Sequence, residues 1–489
     1  MKNVICLLGA KEISAKIKQG ELSVRQVLEA YLQRAEDCGN ELNCFNLICK
    51  DYALSRAEEV QKGIDDGALS GPLAGVPIAV KDNICTEGIP TTCSSRMLSD
   101  FVPPYNATVI NKINAEGLVV FAKLNMDEFA MGSTNESSFF GEVRNPWNLS
   151  RVPGGSSGGA AAAVSAGLSP LALATDTGGS VRQPCSFCSV TGLKPTYGAV
   201  SRYGLIAYAS SLDTIGAIAK SADDCLALFN IIRGSDPKDS TSKDASFIKS
   251  TDIKGKKIAV ISELLSEDIN PEVKNAVLSA AARFRSLGAE TEFISVPELK
   301  YSVAAYYVLA SAQASSNLAR FDGIRCGYTP ENVETLSEQY LKSRSAGFGS
   351  EVKRRILLGN FVLSEGYYDS YYKNALKAQE LIKQALKKAL GNYSFILTPV
   401  SPDTAPEIGK MTKDPMKMYL SDVCTVPANL AGLPAVAFPC GFDKDNMPIG
   451  VQLIGNAFCE EEIMSAAEAF QQKTKYHKTQ PPFTARYKK

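Results

Sequence analysis

Two rhythms of apolar and polar positions run along this chain, one of period two and one near 3.6, and their alternation predicts an α/β protein. Val76, Ile78 and Val80 alternate, so residues 75–80 read as a short strand that delivers Lys81 at its C-terminal end. Residues 117–122 read as a second, buried strand, and residues 171–175 as a strand entering the turn Asp176-Thr177-Gly178-Gly179-Ser180. Before them, Ser23 with Gln26 three residues on is a capping-box signal, and Val24, Leu28, Tyr31, Leu32 and Ala35 fall on one face of the helix it opens. The small residues of 157–166 suit a helix packed closely on a neighbour.

The same alternation returns later. Residues 257–262 (strand), 271–286 (helix) and 291–296 (strand) repeat the unit, and short strands follow at 394–397, 435–439 and 449–454. Between them, residues 351–390 have a helical pattern that Gly359 and Gly366 are expected to interrupt, and the polar stretch 234–252 is expected to be a long surface loop. The predicted architecture is a mixed central β-sheet covered by helices on both sides. No disordered linker divides residues 1–489, so a single domain is expected: N-terminal helices to about residue 65, a Ser/Gly-rich core over about 66–230, and a remainder that completes the sheet and the substrate pocket.

Composition narrows the function. Lys+Arg and Asp+Glu both number 52, so no net field recommends nucleic acid or anionic lipid as a direct partner. The longest apolar stretch, 160–174, is broken by Ser165, Gly167, Ser169 and Pro170 and falls short of the roughly 20 residues of a membrane span. Thirteen cysteines without a secretory signal point to reduced thiols in a cytoplasmic protein. Cys185 and Cys188 have CxxC spacing, but no second pair exists and the chain has one histidine, so packing rather than metal is expected there.

That single histidine, His477, lies in a Lys/Thr/Pro-rich C-terminal stretch, far in sequence from the Gly-flanked serines of 153–180. A Ser-His-Asp relay would need it as the base; a lysine base is the alternative. The run around Ser156 and Ser157 is no Walker A loop, because Gly159 is followed by four alanines, and no GxGxxG occurs. A flexible Gly/Ser loop remains the plain alternative. The turn Thr177 to Ser180 can aim backbone N–H groups at one point, as an oxyanion hole requires, with Ser180 as nucleophile. Lys81, at a strand end, is the best-placed base, provided that burial lowers its pKa: an exposed lysine is only about 0.04% neutral at pH 7.

GGSSGG, TDTGGSVRQP and the upstream lysine of AVKDNI together resemble the amidase signature family. Within it, the segments KLNMDEFAMGSTNESS, RNPWN, SRYGLIAYASSLD, EVKRRILLG, GYYDSYY and PANLAGLP are similar to the A-subunit branch of the aspartyl/glutamyl-tRNA amidotransferases. The resemblance implies that Ser180 forms the acyl-enzyme, Ser156 bridges after a cis peptide, and Lys81 is the terminal base. It further implies that Arg355 and Asp422 grip the α-carboxylate and α-amine of glutamine, a pairing their charges suit. Implied partners are glutamine, B and C subunits in a heterotrimer, and misacylated tRNA, Glu-tRNA(Gln) or Asp-tRNA(Asn), reached mainly through the B subunit, with no membrane. No metal or cofactor is expected in this chain, with ATP and Mg at the B subunit. Three positions depart from the family pattern: Gln313 for an acidic residue, Cys185 for alanine and Ala217 for proline. The rival readings are a free-standing amidase and a non-catalytic assembly subunit.

Overall fold

In the computed structural model, which describes residues 2–245 and 252–485, the eleven strands of one sheet lie in the order β1-β3-β2-β4-β6-β5-β10-β11-β9-β7-β8. In chain order these are β1 (Phe45–Ile48), β2 (Pro77–Lys81), β3 (Val119–Leu124), β4 (Leu171–Asp176), β5 (Thr191–Lys194), β6 (Thr214–Ala219), β7 (Lys257–Ile261), β8 (Glu290–Ile294), β9 (Phe395–Pro399), β10 (Ala435–Phe442) and β11 (Pro448–Gly455). The sheet is mixed. β3, β2 and β4 run parallel, as do β9, β7 and β8, while the strands from β4 through β9 pair antiparallel.

β2 and β4 are buried along their whole length, as strands covered on both faces must be. Their parallel register, Ala79 opposite Ala172 and Val80 opposite Leu173, sets their C-terminal ends side by side. Lys81 and Asp176 therefore emerge at the same edge, where an open α/β sheet places its crevice.

Close packing explains the small residues. A Cβ on Gly192 would lie 2.5 Å from Cys185 Sγ, and one on Gly450 2.6 Å from Ser186 Oγ, so bare strand positions let the Arg182–Cys188 helix settle onto the sheet. The Glu460–Thr474 helix packs on β10 and β11 as well, and it pairs with the Ala222–Ile232 helix rather than with Arg182–Cys188. Ser23 caps the Val24–Leu42 helix in a full capping box with Gln26.

Gly359 does not break its helix. Ser350–Leu363 runs through it, because a Cβ there would collide with the Ser311 carbonyl of the Ser302–Asn317 helix; the glycine serves a close helix crossing. Gly366, at φ +84, does interrupt, between Ser350–Leu363 and the Lys373–Asn392 helix. The expected loop at 234–252 is irregular through residue 245, and residues 246–251 lie outside the described residues. No described helix is long and apolar enough to cross a membrane.

Candidate active site

Lys81 is fully buried, and its Nζ lies 2.8 Å from Ser156 Oγ, 2.8 Å from Ser157 Oγ and 3.4 Å from the Thr175 carbonyl. Burial penalises the ammonium form, and the more distant carboxylates of Asp127, Asp176 and Asp213 recover only part of that loss, leaving the Lys81 pKa at about 7. The Gly155–Ser156 peptide is cis. Ser180 joins the cluster through the backbone, its carbonyl accepting the Ser157 N–H at 3.2 Å. Its side chain makes no hydrogen bond to Ser156 or Lys81 among the described residues, and the residue is 8% exposed where Lys81 and Ser156 are sealed.

A buried ion pair shapes the Thr177–Ser180 turn. Asp176 accepts Arg182 Nε and Nη2 at 3.0 Å each, and Asn429 Nδ2 at 2.8 Å. Burial alone would raise its carboxyl, but the Arg182 charge and hydrogen bonds, with Lys194 and Asn429, together outweigh it and hold the pKa at about 2. Asp176 also accepts the Gly179 N–H at 2.9 Å, which gives that expected oxyanion donor a partner within the turn. Gly178 is pressed on the Tyr306 ring, with a would-be Cβ 2.5 Å from its hydroxyl oxygen, so a side chain there has no room.

Arg355 and Asp422, 67 positions apart in sequence, come together beside this turn. Asp422 is bonded by the Tyr307 hydroxyl at 2.7 Å and by Ser133 Oγ at 3.1 Å; burial lifts its pKa to about 6 against the pull of Tyr307, Arg355 and Ser133. Arg355 donates to Glu351 Oε1 at 2.8 Å and to Tyr208 Oη at 2.7 Å. Its guanidinium carbon lies 5.2 Å from the Tyr307 ring centre and 5.6 Å from that of Tyr419. The second terminal nitrogen, Nη2, is buried without a partner, a donor left for an acceptor such as a carboxylate. Thr425 Oγ1 bonds both Gly178 O (2.6 Å) and Asp422 O (3.1 Å), joining the turn to this pocket.

A family model described as Amidase matches residues 26–464. The chain belongs to the amidase family. It is similar to the A subunit of the glutamyl-tRNA(Gln) amidotransferase of Agathobacter rectalis, 51% identical over 95% of this chain and 93% of that protein. The corresponding protein of Geobacillus thermodenitrificans is 48% identical over 96% and 98%. Among solved structures, the A subunit of the Thermotoga maritima glutamyl-tRNA(Gln) amidotransferase aligns with TM-score 0.77 and 40% identity, covering 98% of this chain and 97% of that one. A peptide amidase from Stenotrophomonas maltophilia aligns with TM-score 0.80 at 27% identity, covering 97% and 98%.

In this amidase the family's sequence departures have plain positions. Gln313 pins Ser211, accepting its N–H at 2.9 Å and donating to its hydroxyl at 2.7 Å. Cys185 and Cys188 are buried in the core, where burial pushes both thiols up, and Cys188 Sγ faces the Pro153 carbonyl at 3.4 Å. Ala217 sits inside β6, paired with Leu173 and Leu193, a position where proline would delete a ladder donor. His477 lies on a short turn after the Glu460–Thr474 helix. Sequence reasoning missed Ser157 as a second partner of Lys81, Asp176 and Arg182 as the builders of the turn, and Ser133, Tyr208 and Tyr307 around the charged pair. The first three were signalled by GGSSGG and TDTGGSVR; the others come from distant segments and carry no local signal. A separate cavity of about 770 Å³, lined by Cys85, Tyr105, Phe321 and Cys326 among others, holds none of the relay residues.

Proposed function

We propose that this amidase is a glutaminase, the ammonia-producing A subunit of a glutamyl-tRNA(Gln)/aspartyl-tRNA(Asn) amidotransferase. One observation supports the chemistry above others: the fully buried Lys81 amine, near pKa 7, set 2.8 Å from Ser156 Oγ. At that pKa roughly half the amine is neutral at pH 7, a gain of about a thousandfold over an exposed lysine. Identity near 50% to the A subunits of amidotransferases over almost the whole chain supports the substrate.

Glutamine is held by its α-carboxylate on Arg355 and its α-amine on Asp422, which carries its side-chain amide to Ser180. Ser156 takes the Ser180 proton as Lys81 takes that of Ser156, and Ser180 Oγ bonds to the amide carbon. A rotation of the Ser180 side chain closes the relay, as catalytic contacts often tighten only with substrate. The N–H groups of Thr177, Gly178 and Ser180 meet the developing oxyanion. The relay returns the proton to the departing nitrogen, ammonia leaves, and water hydrolyses the γ-glutamyl ester by the same steps. Ammonia then serves a partner B subunit that binds ATP, Mg and misacylated tRNA, with a C subunit bracing the pair. This chain supplies no cofactor chemistry.

Ser180→Ala tests the assignment. In the assembled complex it abolishes glutamine hydrolysis and leaves ammonia-driven amidation of tRNA intact. Equal loss of both in a correctly assembled complex contradicts the division of labour.

A further inference from the structure

One turn touches the Ser156 segment, the Asp422 side chain and the start of the Arg355 helix. The Asp127 N–H donates to the Ser156 carbonyl at 3.2 Å, and the Asp127 carboxylate accepts Asn135 N–H at 2.9 Å and Ser137 Oγ at 2.8 Å. It lies so close over Gly155 that no Cβ fits there. Further along the turn, Ser133 bonds Asp422. The adjacent Glu128 reaches a different element: it accepts the Gly349 N–H at 2.8 Å and the Ser95 hydroxyl. Gly349 is the N-cap of Ser350–Leu363, the helix that carries Arg355, and a Cβ on it would collide with Glu128 Oε2. Arg355 follows six residues later, about 9 Å along the axis.

Glu128 is 3% exposed. Burial pushes its carboxyl up to about 7, with the Ser95 hydroxyl and the Gly349 N–H opposing. The Gly349 N–H it accepts is one of the N-terminal donors that lack partners within the helix, and it offsets part of that burial penalty. No arginine or lysine pairs with it directly among the described residues; Lys353 acts from a distance. Its contacts are therefore those of a strut, running from the turn behind Ser156 to the start of the Arg355 helix.

We propose that Glu128 is a positioning residue, which fixes the Arg355 helix against the turn that supports Ser156 and so sets the distance between the substrate's α-carboxylate and the relay. The proposal rests on the reading of glutamine as substrate with its α-carboxylate at Arg355. Glu128 touches no substrate atom and acts through Arg355. Replacing the carboxyl by an amide of the same shape weakens its bonds to the Gly349 N–H and the Ser95 hydroxyl, shifts the helix start, weakens the grip on the carboxylate, and leaves the hydroxyl relay in place.

The test is Glu128→Gln in the assembled amidotransferase. The KM for glutamine rises about 5- to 15-fold while kcat stays within about 3-fold, as expected when one charge-assisted contact weakens. Ammonia-driven activity is unchanged. In the Arg355→Ala background the same substitution changes KM by less than about 2-fold, since residues acting through one contact are non-additive. A merely structural role gives a lowered melting temperature with wild-type KM in the folded fraction, or losses that multiply with Arg355→Ala; either overturns the proposal. Should Glu128→Gln not assemble, Glu128→Asp, which keeps the charge one methylene short, is measured for the same KM shift and the same vanishing effect in the Arg355→Ala background. If the wild-type complex hydrolyses no glutamine, the glutaminase reading falls; if it does and the Glu128 variants keep its KM, only this inference falls.

Discussion

β2 and β3 lie side by side, and each carries a fully buried lysine. Lys81 pairs across the strands with Leu124 and Lys123 with Val80, so the two ammonium groups point to opposite faces of the sheet. Burial lowers the pKa of both. Their partners differ. Lys123 donates to the Ile84 carbonyl at 2.7 Å and to Thr91 Oγ1 at 2.8 Å, with Asp82 Oδ1 at 3.8 Å, a set of acceptors and a counter-charge that suits an ammonium. Lys81 meets two serine hydroxyls, which can give a proton as well as accept one. Lys194 makes the same point: it is also near pKa 7, and it spends its amine on the Pro195 carbonyl at 2.8 Å. Desolvation brings a lysine towards neutrality; what sets Lys81 apart is the Ser156 hydroxyl, whose proton no carbonyl takes among the described residues, whereas the Thr91 hydroxyl beside Lys123 gives its proton to the Ile89 carbonyl at 3.3 Å.

Substitution at the two strands breaks the comparison most sharply. Lys81→Ala lowers the kcat for glutamine by about 10³-fold or more, without touching ammonia-driven amidation, and adding Ser156→Ala costs far less than the product of the single losses. Lys81→Arg fails too, since a guanidinium stays charged near neutral pH. Lys123→Met acts on folding instead. It strands Asp82 in the interior, where breaking a buried pair costs about 3–5 kcal/mol. Calorimetry then shows a lower melting temperature while the folded fraction keeps a kcat within about 3-fold. A collapse of kcat in Lys123→Met at unchanged stability would erase the distinction.

The substrate side gives a smaller effect of another kind. Arg355→Ala and Asp422→Asn raise the KM for glutamine roughly 10- to 150-fold with little change in kcat, because they hold groups remote from the scissile amide and each charge-assisted contact is worth about 1.5–3 kcal/mol. Steady-state kinetics checks this; a wild-type KM in either variant removes that residue from the pocket.

These two regions also differ in how far the sequence revealed them. Lys81, Ser156 and Ser180 sit in glycine-rich runs or at strand ends, so spacing and residue type pointed to them. Arg355 and Asp422 came only from the resemblance, since nothing local distinguishes them from surface charges. Tyr307, Tyr208 and Ser133, which hold that pair, are brought in by tertiary packing alone. β5 and β6 escaped notice because Gly192 and Gly216 interrupt their apolar pattern; Gly192 makes room for the Arg182–Cys188 helix, and a Cβ on Gly216 would collide with the Leu193 carbonyl of β5. The Ser302–Asn317 helix, apolar on several sides because neighbours cover it, offers no amphipathic rhythm to read. At Gly359 a residue usually read as a breaker proved to be a packing device.

Burial, which unites the lysines, also sorts the thiols, with the smallest effect on function. Cys326 is exposed and Cys49 half-buried, whereas the other cysteines are buried. Mass spectrometry after brief treatment with a thiol reagent finds Cys326 modified first. Equal labelling of Cys185 or Cys188 would mean that the packing around the Ser180 turn opens readily.

The pH dependence of Ser180 acylation by an electrophilic glutamine analogue tests the central claim directly. Only neutral Lys81 accepts a proton, and burial brings its pKa down from 10.5 to about 7. The wild-type rate therefore climbs about tenfold per pH unit below 7 and levels off above it, and in Lys81→Ala the residual rate lacks this limb. A limb near pH 7 that survives in Lys81→Ala, or a wild-type rate that keeps climbing towards pH 10, would contradict Lys81 as the base.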